Sequence, residues 1–174
     1  AGGIAPLVAL VRDGTAEQRA NAAGALWDLA RDNDANRVAI ADAGGIAPLV
    51  ALVRDGTDRQ RENAAGALRN LADNDANRAS IIAPLVALVR DGTDEQKATA
   101  AGALGYLAYD NDANRVAIAD AGGIAPLVAL VRDGTAEQKA TAALALGSLA
   151  YDNDANCVAI ADAGGIAPLV ALVR

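Results

Sequence analysis

One phrase, IAPLVALVRDGT, governs what this chain can fold into. It begins at Ile4, Ile46, Ile82 and Ile124, and again at Ile166, where it runs only to Arg174. The spacings are 42, 36, 42 and 42 residues. A period near forty belongs to solenoids of two or three helices per unit or to propeller blades. Blades need alternating strands rich in β-branched and aromatic residues. Here the apolar residues fall at helical spacing, so the units are helical. They run 4–45, 46–81 (shortened), 82–123 and 124–165, with a partial unit at 166–174, in a single domain over 1–174.

Each unit reads as three helices. Pro6 sits in the first turn of the opening helix, where a missing N–H costs nothing. Leu7, Val8, Leu10 and Val11 follow as its apolar stripe, and Asp13-Gly14 ends it, with Gly free to take a left-handed cap. Thr15 and Gln18 form a capping-box signature, repeated as Thr57/Gln60, Thr93/Gln96 and Thr135/Gln138. The longer helix it opens carries Ala22, Ala23, Leu26, Leu29 and Ala30. A short helix with Val38 and Ile40 comes next, and Gly44-Gly45 closes it with a sharp turn.

Between the long and the short helix lies DNDAN, at 32–36, 73–77, 110–114 and 152–156. Its alternating acids and amides resemble the start of a calcium loop. Such a loop also needs Gly at position 6 and a bidentate Glu at position 12. Counted from Asp32, those positions hold Arg37 and Ala43, and the other copies place Pro84, Ala121 and Ala163 at the twelfth. No acid closes the cage. DNDAN therefore reads as an inter-helix loop whose Asp or Asn caps the short helix, and no metal is expected.

Composition narrows the function. Apolar residues make up 53% while aromatics are 2%, and Phe, Met and His are absent. The core must be small and aliphatic, which suits helices packed closely in a regular array. A formal charge of -7 argues against a nucleic-acid partner. Cys157 is the one cysteine, standing where other units have Arg37, Arg78 and Arg115, so neither an internal disulfide nor a cysteine metal site can form. No apolar run approaches the ~20 residues of a membrane span. No signal peptide and no initiating Met are present, so the chain reads as a fragment, a processed product or an engineered array. One free thiol without an export signal fits an intracellular, soluble protein. Without His, a phosphate-loop Lys-Ser/Thr or a nucleophile with a partner pattern, an enzyme is not expected and no cofactor is implied.

The pattern NRVAIADAGGIAPLVALVRDGTAEQ followed by NAAGALWDLA resembles the armadillo repeat. The resemblance covers essentially the whole chain, opening and closing on a second helix. It implies an all-α fold, a right-handed α-solenoid (superhelix) with about three helices per 42-residue unit. It also implies a concave groove, lined by the third helices, that binds extended peptide or protein segments. The units are unusually alike, as recent duplication or consensus engineering would make them.

The family's peptide-binding Asn falls at Asn70, while its equivalents here are Asp28, Tyr106 and Ser148. The Trp that often stands one turn earlier is replaced by Gly24, Gly66, Gly102 and Leu144. All four aromatic residues, Trp27, Tyr106, Tyr109 and Tyr151, lie near the ends of third helices, with Tyr106 and Tyr109 neighbours three apart. They read either as interface anchors or as fillers of gaps left by Gly and Ala. Asn21, Asn63, Thr99 and Thr141 are polar positions on the same helices. Glu17, Arg59, Glu95 and Glu137 near the helix starts are mostly acidic, which favours a basic segment or simply serves the helix dipole.

Two irregularities remain. The second unit reads RASIIAP (78–84) where the others read RVAIADAGGIAP, so an abbreviated helix or an extension of the next one is expected, broken near Pro84. The phrase IAPLVALV also stands uncapped at both ends. Leu7, Val8, Val11, Leu169, Val170 and Val173 are expected to be exposed and to mediate homo-oligomerisation, so the alternative function is a self-assembling structural or engineered repeat module.

Overall fold

The computed structural model describes residues 2–172. All regular structure among them is helical: α1 (Ile4–Asp13), α2 (Ala16–Ala30), α3 (Asp34–Asp42), α4 (Ile46–Asp55), α5 (Asp58–Ala72), α6 (Asp75–Asp91), α7 (Asp94–Ala108), α8 (Asp112–Asp120), α9 (Ile124–Asp133), α10 (Ala136–Ala150), α11 (Asp154–Asp162) and α12 (Ile166–Ala171). The chain forms two compact units, Ala1–Ile81 and Ile82–Arg174.

The long helices start as the sequence dictates. The amides of Thr15, Thr57, Thr93 and Thr135 donate to the Oε1 of the Gln three residues on, at 2.9, 2.9, 3.0 and 2.9 Å. The amides of Gln18, Gln96 and Gln138 donate back to the Thr hydroxyls at 3.3 Å. Gln60 and Gln138 are buried and do more than cap. Their Nε2 groups also donate to the carbonyls of Ala16 at 2.8 Å and Asp94 at 3.0 Å. One side chain thus starts its own helix and pins it to the preceding third helix, a link that the local pattern does not announce.

The glycines divide their tasks differently from expectation. Gly14, Gly56 and Gly134 cap their helices in extended backbone at φ -72°, -79° and -76°, not in the left-handed region. Glycine is required there for space: a Cβ on Gly56 would stand 2.4 Å from the Leu52 carbonyl oxygen. Gly56→Ala should therefore cost about 1–3 kcal/mol in a urea titration, an overpacking penalty against backbone. No measurable loss would show that this loop gives way freely. The left-handed glycines are Gly44, Gly122 and Gly164 at φ 74°, 75° and 76°, each the first of the Gly-Gly pair that follows a short helix. There the chain turns by 81° between α3 and α4, and again between α8 and α9.

The shortened repeat is corrected in one respect. No break occurs near Pro84; α6 is one helix of 17 residues with Pro84 inside it. With ADAGG missing, no left-handed glycine is available to turn the chain. Ile81 and Ile82 are buried, as the lost Val and Ile contacts require. The same repeat is also one residue shorter before DNDAN, where the others carry Arg31, Tyr109 or Tyr151.

In the first unit α2 packs on α5, α1 on α2 and α4 on α5. Ala23, Leu26, Leu49, Val53, Leu68 and Leu71 are fully buried between them. In the second, α7 and α9 pack on α10 around Ala101, Leu104, Leu107, Leu127, Ala142 and Leu149. Small residues let these helices close: a Cβ on Gly105 would lie 3.0 Å from the Ala145 Cα. The exposed Arg-Asp pairs at helix ends add little. At one of them the hydrogen bond from Arg90 holds the Asp91 carboxyl below its usual range.

The expected exposure at the uncapped phrases needs correcting. Val8 and Val11 are 3% and 1% exposed. They face inward, Val8 against the Gly45 turn, where a Cβ would stand 3.1 Å from its Cγ2. What α1 leaves open is Leu7, half-buried, and Leu10 at 38%. In α9 the counterparts Leu127 and Leu130 are at 0% and 8%. On α12, Leu169 is half-buried and Val170 exposed, with Ile166 and Leu172 exposed beside them. Val173 lies outside the described residues. No single helix among the described residues is long and apolar enough to cross a membrane.

Candidate functional site

The DNDAN loops resolve into three structural tasks. The first Asp takes the left-handed region in three copies, at φ 50° for Asp32, 52° for Asp110 and 46° for Asp152, which Asp tolerates better than most residues. The following Asn is the N-cap of the short helix. The Oδ1 atoms of Asn33, Asn111 and Asn153 accept from the amides of Asn36, Asn114 and Asn156 at 3.0, 2.9 and 2.9 Å. The final Asn ties back to the helix before it. Asn36, Asn77, Asn114 and Asn156 donate through Nδ2 to the carbonyls of Leu29, Leu71, Leu107 and Leu149 at 2.8, 3.2, 2.9 and 2.9 Å. Among the described residues no group of three or more acids, Cys or His is placed to hold a metal ion.

In the first unit the groove face of α2 and α5 is filled from within. The ring of Trp27 lies over Gly66, where a Cβ would be 2.5 Å from its Cδ2. Asn63 lies over Gly24 and donates to the Ala20 carbonyl at 2.8 Å. Asn70 is buried and donates to the Trp27 carbonyl at 2.9 Å. The Nδ2 of Asn70, the one amide at the family's peptide-binding position, is thus turned onto α2 and braces it against α5. Asp28 is exposed and pairs with Arg31 at 3.2 Å, and Arg59 donates to Asn21 at 2.9 Å.

In the second unit a cleft of about 980 Å³ lies over the side of α10 that carries Ala140, Ala143 and Gly147, walled also by Tyr109, Lys139, Leu144, Ser148, Tyr151 and Leu172; the α7 counterparts Ala98, Ala101 and Gly105 are buried. A smaller cavity of about 260 Å³ adjoins it and shares Tyr109, Leu144 and Ser148, with Tyr106 on its wall. The structure therefore brings together Tyr106, Tyr109, Ser148 and Tyr151, and places Trp27, Asp28, Asn63 and Asn70 on the other unit. Tyr106 is half-buried in α7. Tyr109 and Tyr151 lie just past their helices as C-caps and are 58% and 63% exposed. Leu144 is 74% exposed. Its position alone marked it, since Gly stands there in the other three units, but the pattern reads first as a lost wall rather than as an apolar ridge.

Arg115 shapes the far wall. Its guanidinium sits 5.6 Å from the centre of the Tyr151 ring. It also pairs with Asp112 and donates to the Ala108 carbonyl at 3.1 Å. Cys157 takes the same place one repeat on, exposed, with its thiol donating to the Ala150 carbonyl at 3.3 Å. The substitution keeps the contact to that carbonyl and loses the cation.

Three helices to a repeat, with third helix packed on third helix, define an α-solenoid. Comparison with known proteins makes this specific. The model of the armadillo/beta-catenin-like repeat matches residues 33–73 and 111–151. An engineered protein solved by the Northeast Structural Genomics Consortium is 33% identical, with TM-score 0.69, over 100% of this chain and 73% of its own. A designed armadillo repeat protein in complex with the peptide (KR)4 is 28% identical, with TM-score 0.66, over 96% of this chain and 72% of its own. Computationally designed armadillo repeat proteins for modular peptide recognition are 29% identical, with TM-score 0.62, over 96% and 73%. No curated protein gives a significant match. The chain belongs to the armadillo repeat family.

Proposed function

We propose that this chain is a non-catalytic scaffold that holds an extended peptide or protein segment along its third helices, above all on the α7–α10 face. The observation that carries this is Leu144, 74% exposed on the wall of an open cleft that Tyr109 and Tyr151 also line. Large apolar and half-polar side chains left uncovered in a concavity are the usual anchors of a binding surface. Similarity to a designed protein in complex with (KR)4 supports peptide binding as the mode. The lining of this cleft favours an apolar segment over a basic one, because Lys139 and Arg115 face it with Asp110 as the acid. A basic segment would have to reach Glu95 and Glu137, exposed at the starts of α7 and α10.

A fluorescence-polarisation screen of extended apolar, basic and acidic peptides tests the reading. Leu144→Asp should weaken the best binder at least about tenfold and leave thermal stability nearly unchanged, since the side chain is solvated. Failure of every peptide to bind, or binding indifferent to Leu144→Asp, would overturn it.

A second reading, assembly between copies of the chain, has its own observation. Leu10, Ile166, Val170 and Leu172 are exposed apolar side chains. Light scattering across a wide concentration range decides it: a concentration-dependent rise in mass supports assembly, and a constant monomer mass removes it.

A further inference from the structure

The second unit holds two seats of the same make for a long helix, and only one of them is covered. α10 packs on α7 and on α9. Ala98, Ala101 and Gly105 of α7 are buried there, as are Ile124, Val128 and Leu130 of α9. One repeat on, the same positions are Ala140, Ala143 and Gly147 of α10 and Ile166, Val170 and Leu172 of α12. Ala143 is half-buried and the other five are exposed. The cleft of about 980 Å³ lies over the three α10 residues, with Leu172 on its wall. The repeat that α12 opens has no third helix among the described residues, and α12 has no buried residue. A polar handle is repeated as well. Gln60 and Gln138 donate through Nε2 to the carbonyls of Ala16 and Asp94 on the third helix before them. The next residue in that series is Ala136, and it lines the cleft.

We propose that this cleft receives one amphipathic helix of another polypeptide, seated on α10 and α12 as α10 is seated on α7 and α9. The helix that fills the matching seat in the same unit defines the occupant. It is about four turns long, since α2, α5, α7 and α10 each have 15 residues. It carries an Ala and Leu stripe, as α10 does with Ala142, Ala145, Leu146 and Leu149, all buried. It needs a small residue where it crosses Gly147. At the matching crossing Gly105 comes so near α10 that a Cβ would lie 3.0 Å from the Ala145 Cα. A Gln at its third position donates to the Ala136 carbonyl and fixes the register. Burial of the exposed apolar side chains of α12 drives the docking. Leu144 stands at the edge of this seat, for a Cβ at its counterpart Gly102 meets nothing within 4 Å, α10 included. Helix docking is thus separate from the extended segment of the groove reading. A second copy of the chain fits the cleft less well. With its α2 on α10, its α1 would fall where α12 lies, since α12 packs on α9 as α4 packs on α1.

The probe is a fluorescein-labelled peptide of residues 133–153, which holds α10 with its capping Thr135 and Gln138. It should bind the intact chain at one site, gain helicity on binding by circular dichroism and raise the chain's melting temperature. Ala145→Trp in the peptide should weaken binding at least about tenfold, the effect of overpacking a close crossing. In the chain, Gly147→Arg should abolish binding, while Leu144→Asp, which removes an extended segment from the groove, should leave it nearly unchanged. Gly147→Arg suits the fold, since a Cβ there meets nothing within 4 Å and α5 carries Arg69 at the same position; its thermal melt is the check. No binding, binding without helix formation, binding that survives Gly147→Arg or equal binding of the Ala145→Trp peptide overturns the proposal. So does a concentration-dependent rise in mass that Gly147→Arg removes while the peptide stays unbound, which makes a second copy the occupant.

Discussion

Asn114→Asp should destabilise the protein by about 3–5 kcal/mol at neutral pH, the cost of an uncompensated buried charge. Asn114 is fully buried, and its Nδ2 donates to the Leu107 carbonyl at 2.9 Å. The substitution keeps shape and volume but turns a donor into a carboxylate oxygen facing a carbonyl oxygen. The sign with pH follows. Burial and the opposing carbonyl raise the introduced carboxyl's folded pKa above its unfolded value near 3.9. Between those two values the folded state holds more protons, so stability relative to wild type falls as pH rises and levels off above the folded pKa. Urea titrations of both proteins from acid to neutral pH check this. A pH-independent difference would show that the carboxylate is solvated or displaced. Asn36→Asp changes the same motif position where the side chain is only half-buried, and its loss should be clearly smaller.

Leu127→Ala should cost about 2–5 kcal/mol, and Leu7→Ala only about 1 kcal/mol. Both residues occupy the same place in IAPLVALVRDGT. Leu127 is fully buried in α9, so its truncation removes transfer energy and leaves a cavity. Leu7 is half-buried in α1, where water can fill the gap. Equal losses from the two would mean that Leu7 is covered in solution, and the assembly reading would gain its strongest support.

That comparison shows where the sequence stops being informative. Repeat period, helical class, capping boxes and the capping role of DNDAN all follow from local pattern, because each depends on residues within a turn or a loop of one another. Pro84 was read locally as well, and there the local rule misled. A proline in a helix interior costs a hydrogen bond, but the chain had no left-handed glycine with which to turn instead. The exposure of Val8 and Val11 was misjudged for a related reason: the spacing shows a stripe without saying which of its members face their own repeat and which face the next.

The candidate site divides the same way. Its aromatic residues were visible as exceptions to an aliphatic chain, and their clustering near third-helix ends could be counted from the sequence. The commitment of Asn70 and Asn63 to carbonyls of α2, the seat of Trp27 on Gly66 and the close approach of Gly105 to Ala145 were not visible. Each depends on a residue one repeat away and on how closely two helices approach. By itself the sequence determined the repeat, its helices and its caps, since these are set by short-range sterics and hydrogen bonding. Only the tertiary structure decided which of several near-identical helix faces is covered and which is open, because that is settled by single side chains meeting across an interface about forty residues apart in the chain.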